Sequence, residues 1–267
     1  MVILITGASS GIGLACANHL ASLGHTVYGA SRSIASLADP VTFERLTLDV
    51  CDESSVINAI NTVHAREGRI DALICAAGFG IAGPIEATSL ADAQEQFDIN
   101  FFGVVRTCQA VIPIMRAQQS GYILAIGSLG GISAIPFQGF YSASKFALEG
   151  YMESLRMELR PFGIRTVLIE PGDYKTAFTT NRRESGTPET IAPYEAAYRR
   201  ALAVMAKDEQ NGPDAIGVAH LAATILNAPN PRLRYTCGPF AERLAIQLKR
   251  VLPHTLYQRL IQTYYQI

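Results

Sequence analysis

Tyr141 and Lys145 place a phenol and an ammonium group four residues apart in the segment Tyr-Ser-Ala-Ser-Lys. On a helix, residues at this spacing share one face, so the charge of Lys145 is held beside the Tyr141 hydroxyl. A nearby cation favours the phenolate and lowers a tyrosine pKa from about 10 toward the range useful for general acid–base catalysis. Because chance can also produce such a pair, its meaning depends on the surrounding residues.

The composition is that of a globular protein. The 267 residues are 49% hydrophobic and 17% charged, and the net charge of -1 without a basic stripe argues against nucleic acid. The five histidines lack metal-ligand spacing, so we expect no metal site. The cysteines form no Cys-x-x-Cys pair and are expected to be buried free thiols in a reducing compartment: Cys16, Cys51, Cys75, Cys108 and Cys237.

Two segments bear on membranes. Residues 117–144 carry no charge and are long enough to cross a bilayer, but Gly121, Gly127 and Pro136 break any continuous helix, so we expect no integral membrane segment. The apolar tail at residues 241–265 is interpreted as helices packed beside a substrate site, with peripheral membrane attachment as the alternative. Residues 2–5 lead directly into a glycine turn, so we expect no targeting segment and a cytoplasmic protein.

The first thirty residues read as strand, glycine turn, helix and strand. Gly7, Gly11 and Gly13 suit a tight turn, a close approach of backbone to a pyrophosphate, and close helix packing, respectively. An ordinary glycine-rich turn is the alternative, but the position between a strand and a helix favours dinucleotide binding. The cofactor residues expected here are Gly7, Ser9, Ser10, Gly11, Ile12 and Gly13.

The end of the second predicted strand indicates which dinucleotide is bound. An NAD enzyme usually offers Asp or Glu there to the ribose hydroxyl, whereas this chain has Ser31 and Arg32. A guanidinium suits a 2′-phosphate, so we expect NADP(H) to be preferred over NAD(H). The alternative is that Arg32 is a solvated loop charge.

Further candidates follow later strands. Asp49 and Val50 come after the strand at residues 43–48, where adenine would lie, although Asp49 could equally belong to the cap region of the next helix. The small residues of the turn Ala76, Ala77 and Gly78 would let backbone approach a ligand, as would a plain packing site.

Asn100 and Ser128 are polar residues in apolar surroundings. Asn100 lies in the helical stretch at residues 89–118 and must find partners; by itself it favours a structural role. Ser128 follows the strand at residues 121–126, at the sheet edge where open α/β sheets bind ligands.

The alternation of strands and helices predicts one α/β domain over residues 1–267, a Rossmann-like doubly wound parallel sheet of about seven strands with helices on both faces. The alternation stops after residue 176. We interpret residues 177–211 as a mobile helical lid over the substrate, and residues 239–265 as C-terminal apolar helices.

In combination these motifs resemble the short-chain dehydrogenase/reductase family, across nearly the whole chain. The matching segments are TGASSGIG at residues 6–13, LDV at 48–50, Asn100, Ser128, YSASK at 141–145 and PG-x-x-x-T at 171–176. The texture of CAAGFG at 75–80 and SASKFALEG at 142–150 is most similar to the hydroxysteroid and retinol dehydrogenase branch.

The resemblance implies a role for each matching residue. Tyr141 would be the general acid or base, and Ser128 would hold the substrate oxygen. Lys145 would contact the nicotinamide ribose and lower the pKa of Tyr141, helped by the positively charged ring of the oxidised cofactor. Asn100 would anchor a water relay to Lys145. Pro171, Gly172 and Thr176 would hold the carboxamide, and the cofactor would transfer the hydride.

The resemblance also sets the expected function: an NADP(H)-dependent interconversion of a carbonyl and an alcohol on an apolar, steroid- or retinoid-like molecule. The alternative is a non-catalytic NADP(H)-binding sensor with the same fold. The family implies a homodimer or homotetramer, paired through helices at about 91–118 and 141–160. One departure is Cys75-Ala76 in place of the usual Asn-Asn, from which we expect an effect on stability rather than on catalysis.

Overall fold

The computed structural model describes residues 1–38 and 41–267, and its strands pair in parallel at the centre of the fold. In chain order they are β1 (Val2–Thr6), β2 (Thr26–Ser31), β3 (Glu44–Thr47), β4 (Ala72–Cys75), β5 (Ile81–Ala82), β6 (Gly121–Ile126), β7 (Ile164–Pro171), β8 (Arg183–Glu184) and β9 (Arg234–Cys237). Within the described residues, seven of them form one sheet in the order β3-β2-β1-β4-β6-β7-β9, while β5 pairs with β8. The predicted doubly wound parallel sheet is confirmed.

The helices connect these strands and cover the sheet. In chain order they are α1 (Gly11–Ser22), α2 (Glu53–Glu67), α3 (Leu90–Phe97), α4 (Gly103–Gln118), α5 (Gly139–Leu159), α6 (Phe178–Asn181), α7 (Pro188–Ile191), α8 (Glu195–Asn211), α9 (Ile216–Leu226), α10 (Phe240–Val251) and α11 (His254–Tyr265). Helices α1 and α9 contribute to the core on one face of the sheet, and α2, α4 and α5 contribute to the core on the other.

Strand β1 shows how the sequence creates two faces. All five of its residues are buried, which explains why it reads as an uninterrupted apolar run rather than as an alternating pattern. Ile3 and Ile5 point into the core with α1 and α9, whereas Val2 and Leu4 point into the core with α2, α4 and α5. The strand is therefore a central one with helices on both sides.

The helical stretch predicted at residues 89–118 is broken in the structure. Helices α3 and α4 are joined by a π-helical turn, Asp98–Phe102, which contains the fully buried Asn100. The Arg106 guanidinium reaches back to the Asp98 carboxylate at 2.6 Å across this turn. Because π turns interrupt the regular hydrogen-bond ladder and often mark functional sites, the turn gives Asn100 a position that a straight helix would not.

The predicted lid, residues 177–211, is a folded cover in the structure. Strand β8 pairs with β5, and the Ser185 backbone N–H donates to the carbonyl of Ala82 at 2.9 Å. Tyr198 on α8 is fully buried, and its hydroxyl donates to the same carbonyl at 3.2 Å. Any opening of the cover must break these contacts; its mobility stays a prediction.

The C-terminal segment forms a helical pair, α10 and α11, that packs beside the sheet edge. Ile246 and Tyr257 are buried, and the Tyr257 hydroxyl lies 2.7 Å from the Ser133 hydroxyl. The opposite side exposes apolar residues, with Phe240 71% and Val251 75% exposed. The preferred interpretation, helices packed beside a site, agrees with these contacts, and peripheral membrane attachment stays a prediction. None of the helices in the described part of the chain is long and apolar enough to span a membrane.

Gly13 is the position in α1 where a side chain would be least tolerated. A Cβ there would lie 2.3 Å from the Gly7 carbonyl oxygen, whereas a Cβ on Gly217 in α9 would meet only the Tyr174 ring, at 3.8 Å. We expect Gly13→Ala to lower the free energy of unfolding by about 1–3 kcal/mol through overpacking. The matched control Gly217→Ala should raise it by about 0.5–1 kcal/mol, since alanine favours a helix.

Urea unfolding of the cofactor-free proteins, followed by circular dichroism, measures both changes. A Gly13→Ala variant as stable as the wild type would contradict the close packing of α1 on the glycine turn.

Candidate active site

A cavity of about 560 Å³ opens at the carboxyl edge of the sheet, beside the ends of β1, β2, β4, β6 and β7. All but one of the predicted site residues line it. They are Gly7, Ser9, Ser10, Gly11, Ile12, Gly13, Ser31, Arg32, Asp49, Val50, Ala76, Ala77, Gly78, Ser128, Tyr141, Lys145, Pro171, Gly172 and Thr176. The residue outside the cavity wall is Asn100.

The glycine turn between β1 and α1 forms one end of the cavity. Gly7 and Gly11 have φ values of 72° and 53°, which glycine adopts without strain. Ser10 precedes α1 in extended backbone, and its side chain forms no cap hydrogen bond, so side chains leave the N–H groups of the first turn free. Because those N–H groups bind anions at helix N-termini, the turn fits the pyrophosphate of a dinucleotide.

Arg32 and Asp49 lie farther along the same wall. Arg32 is exposed immediately after β2 and forms no hydrogen bond or ion pair with any described residue. The Asp49 carboxylate accepts a hydrogen bond from the Cys51 backbone N–H at 3.0 Å. The N-cap residue of α2 is Asp52, whose carboxylate accepts from the Ser54 backbone N–H at 2.9 Å. Asp49 lies just before it, and its backbone N–H donates to the Ser55 hydroxyl at 3.0 Å, so Asp49 belongs to the cap region of this helix.

Tyr141 lies in the first turn of α5 and is only 7% exposed. Its ring packs edge-on against Phe178, with 5.5 Å between the ring centroids. Ser128 follows β6 in extended backbone, and its Oγ accepts from the Gly130 backbone N–H at 2.9 Å. The serine and tyrosine hydroxyls therefore line the same part of the wall, where they could hold one oxygen between them.

Lys145 lies one helical turn after Tyr141 and is 6% exposed. Its Nζ donates to the carbonyl of Ile126 at 2.8 Å and lies 5.9 Å from the centroid of the Tyr141 ring. The last residue of β6 therefore fixes the ammonium group beside the phenol.

Burial dominates the pKa values of both groups. It raises the pKa of Tyr141 to about 12, with the neighbouring Ser128 hydroxyl opposing the rise and the negative charge of Asp173 adding to it. Burial also lowers the pKa of Lys145 to about 8. In the protein alone the net shift of the Tyr141 pKa is therefore upward, because burial disfavours the phenolate. The predicted lowering by Lys145 together with the oxidised cofactor stays a prediction.

A comparison with known proteins assigns the family. Residues 1–186 match the family model described as short chain dehydrogenase. The chain belongs to the short-chain dehydrogenase/reductase family. It is therefore an oxidoreductase of the class that interconverts carbonyls and alcohols with a nicotinamide cofactor.

Individual members of this family are similar over most of the chain. A 3-ketodihydrosphingosine reductase from Bacteroides thetaiotaomicron is 41% identical, covering 100% of this chain and 98% of the relative. The human 17-beta-hydroxysteroid dehydrogenase type 1 is 40% identical, covering 88% of this chain and 76% of the relative. A short-chain dehydrogenase structure from Streptomyces avermitilis superposes with a TM-score of 0.80 at 29% identity, covering 99% and 97% of the two chains. The predicted resemblance to the hydroxysteroid branch is confirmed.

Asn100 supports the short-chain dehydrogenase site from behind. Its Oδ1 accepts from the Phe79 backbone N–H at 3.1 Å, and its Nδ2 donates to the Phe79 carbonyl at 3.0 Å and to the Ser144 hydroxyl at 3.2 Å. No hydrogen bond joins Asn100 to Lys145 among the described residues. Both side chains nevertheless lie near Gly78, since a Cβ on that glycine would be 3.2 Å from Asn100 Oδ1 and 3.8 Å from Lys145 Nζ. The structure thus does not place Asn100 in contact with the cavity, and the water relay stays a prediction.

The turn that begins at Cys75-Ala76, where the family usually has Asn-Asn, is held in place without those two side-chain amides. The Ala76 and Ala77 backbone N–H groups donate to the carbonyl and hydroxyl of Thr6 at 3.2 and 3.4 Å. A hydrogen bond with the Cys108 thiol and burial raise the pKa of Cys75 well above its ordinary value. Cys75 therefore acts as a buried thiol that joins β4 to α4, and the predicted effect of this departure on stability stays a prediction.

Several cavity residues were missed by the sequence analysis. Gln138 precedes Tyr141 by three residues, Asp173 follows Gly172, and Phe178 and Glu209 come from the cover. Gln138 and Asp173 lie next to family motifs in the sequence, and this position could have indicated them as site residues. No sequence feature indicates Phe178 and Glu209, because only the folding of residues 177–211 over the sheet edge brings them to the site.

The buried charge of Lys145 predicts a pH-dependent stability. Since folding lowers its pKa from 10.5 to about 8, the folded state binds fewer protons between these values, and stability should rise with pH across that interval. Below about pH 8 the penalty should be fully present and constant. We therefore expect Lys145→Met to be stabilised relative to the wild type at pH 7, with this advantage shrinking as the pH rises from 8 toward 10.5.

Urea unfolding of cofactor-free wild type and variant over pH 6.5–10 tests this dependence. Lys175→Met, at an exposed lysine, serves as the control. A constant difference between wild type and Lys145→Met over the whole range would contradict the desolvation of the ammonium group.

Proposed function

We propose that the protein is an NADP(H)-dependent reductase of a ketone or aldehyde on an apolar molecule. The observation that carries the proposal is the convergence of Ser128, Tyr141 and Lys145 on the same cavity as the glycine turn. When bound, the nicotinamide would supply the hydride. The residues of this chain would bind the substrate oxygen, move its proton and exclude water.

Tyr141 would act as the proton donor. A pKa of about 12 keeps its phenol protonated at neutral pH, which is the form needed for carbonyl reduction. Ser128 would hold the carbonyl oxygen within reach of the phenol. Lys145, with a pKa of about 8, would be largely charged at neutral pH and would favour the phenolate left after proton transfer.

Arg32 supports NADP(H) over NAD(H). Its guanidinium is exposed at the cavity wall and forms no bond with any described residue, so it is free to pair with a 2′-phosphate. We propose that Ser31 and Arg32 together bind that phosphate.

The apolar walls of the cavity support an apolar substrate. Phe79, Ile99, Ile135 and Phe178 line it, and the Phe178 ring packs against Tyr141. The relatives named above act on 3-ketodihydrosphingosine and on 17-beta-hydroxysteroids, so an NADPH-oxidation panel should contain a 3-keto sphingoid base, steroids and retinal. If NADPH binds tightly and no carbonyl of a broad panel is reduced, the non-catalytic sensor replaces the enzyme.

We also propose a homodimer or homotetramer in the cytoplasm. Helix α5 carries the exposed apolar side chains of Phe146 and Met157, and Phe102 is exposed just before α4. Apolar groups at these positions support pairing through the two long helices. Light scattering of the purified protein measures the state.

Tyr141→Phe removes only the hydroxyl that would transfer the proton. We expect kcat to fall by about 10² to 10⁴, the usual contribution of a general acid, with the Kd for NADPH changed less than about twofold. Tyr122→Phe is the control, since that hydroxyl bonds to the Ala228 carbonyl away from the cavity. Wild-type turnover by Tyr141→Phe would rule out the proposed acid.

Arg32→Asp tests the cofactor assignment. We expect kcat/KM for NADPH to fall by about tenfold to a hundredfold, the loss of one charge-assisted contact plus repulsion, while NADH is used equally well or better. Arg160→Asp, at an exposed arginine outside the cavity, is the control. An unchanged preference for NADPH in Arg32→Asp would refute the proposed role of Arg32 in binding the 2′-phosphate.

A further inference from the structure

Two polar side chains on the cavity wall have no partner among the described residues. Gln138 is 3% exposed, and its Nε2 makes no hydrogen bond. Asp173 is half-buried and bonds only through its backbone N–H, so its carboxyl group has no hydrogen bond or ion pair in the described chain. An unpartnered buried polar group costs about 1–3 kcal/mol, so the buried Gln138 amide on this cavity indicates that a ligand supplies its partner.

The backbone holds Gln138 toward the cavity. The preceding residue, Phe137, has a φ of 59°, which is costly for a bulky side chain. Its carbonyl accepts from the Gly83 N–H at 2.8 Å, and its ring packs against Tyr194 and Tyr198. These contacts fix the direction in which the chain enters α5, and therefore the side on which Gln138 lies, three residues before Tyr141.

The loop after β7 holds Asp173 in a similar way. Its backbone N–H donates to the Glu242 carboxylate on α10 at 2.9 Å. The carboxyl group has no such partner, and Asp173 lines the cavity together with Tyr141. The negative charge of Asp173 also raises the pKa of the Tyr141 phenol.

Negatively charged groups outnumber positively charged ones around Asp173. Burial raises the pKa of Asp173 to about 8, and the carboxylates of Glu242, Glu209 and Asp208 add to the rise. Arg182 opposes it, but that guanidinium is paired with Glu209 in a buried ion pair. A cationic ligand group would relieve this excess of negative charge.

We propose that Asp173 and Gln138 bind the polar head of an amino ketone. Asp173 receives an ammonium group next to the reacting carbonyl, and Gln138 donates to a neighbouring hydroxyl. This inference rests on the proposed carbonyl reduction at Tyr141. Retinal has neither an ammonium group nor a neighbouring hydroxyl, so it would leave both side chains without a partner. A site built to form polar bonds with its substrate discriminates strongly against analogues that lack the bonding groups.

Binding to the NADPH-loaded protein tests the inference without requiring turnover. The probes are a long-chain 2-amino-1,3-diol and the 1,3-diol of the same chain length, measured by calorimetry. We expect the wild type to bind the amino diol about tenfold more tightly, the size of one charge-assisted contact. Asp173→Asn should remove this preference and leave the affinity for the diol unchanged. Gln138→Leu should weaken both ligands by about fivefold.

Asp208→Asn is the matched control, because Asp208 lies near Asp173 but outside the cavity wall and bonds to the Tyr264 hydroxyl. It should keep the preference for the amino diol. The proposal is overturned if the wild type binds both probes equally, if Asp173→Asn keeps the preference, or if Asp208→Asn loses it as well.

The pH dependence adds a readout that a purely structural role of Asp173 would not give. The preference for the amino diol should grow as the pH rises through about 8, where the carboxyl group loses its proton, and should stay flat in Asp173→Asn. The groups facing it are Glu242 on α10, Glu209 and Asp208 on α8, Arg182, Tyr141 on α5, and Tyr264 and Tyr265 on α11. NADPH oxidation with long-chain ketones tests the reductase separately: a wild type that reduces none refutes the reductase, while the binding data still decide the role of Asp173.

Discussion

The parallel register of the central strands is the constraint on which the site depends. Thr6 on β1 lies beside Cys75 on β4, which lies beside Ala125 on β6, which lies beside Leu168 on β7. Because all four strands run in the same direction, the chain leaves each of them at one edge of the sheet. The glycine turn, the small-residue turn, the serine and the Pro-Gly turn are therefore neighbours, although they are far apart in sequence.

The edge becomes chemically useful because it is covered. The C-terminal helices reach it through Glu242, which bonds to the Asp173 backbone, and through Lys249, which donates to the Ile132 carbonyl. The cover reaches it through Phe178, whose ring meets Tyr141. Excluding water in this way strengthens every electrostatic interaction inside the cavity.

Burial also sets the protonation state of the titratable groups in the cavity. It keeps the phenol of Tyr141 protonated, so the tyrosine can donate a proton, and it makes the Lys145 ammonium group depend on one carbonyl partner. The same low dielectric raises the pKa of the Asp173 carboxyl group, so a nearby cation would favour its charged form. Each of these groups lacks a further interaction partner in the protein alone, and the bound ligands would provide that partner.

The sequence by itself determined the class of fold and most of the cavity wall. Its short-range patterns were sufficient because a glycine turn, a strand end or an i, i+4 pair is a local feature, and the parallel sheet brings such features together in a known way. Local spacing also indicated Tyr141 and Lys145 as a pair. It could not give the direction of their pKa shifts, because desolvation depends on everything packed around a group.

Only the tertiary structure decided the rest. Asn100 lies behind the cavity in a π-helical turn between α3 and α4, and no residue type predicts such a turn. Asp52, not Asp49, caps α2 because the backbone enters the helix three residues later. Gln138, Asp173, Phe178 and Glu209 line the same cavity as Tyr141 because elements distant in sequence pack on one edge, and sequence spacing carries no information about such long-range packing.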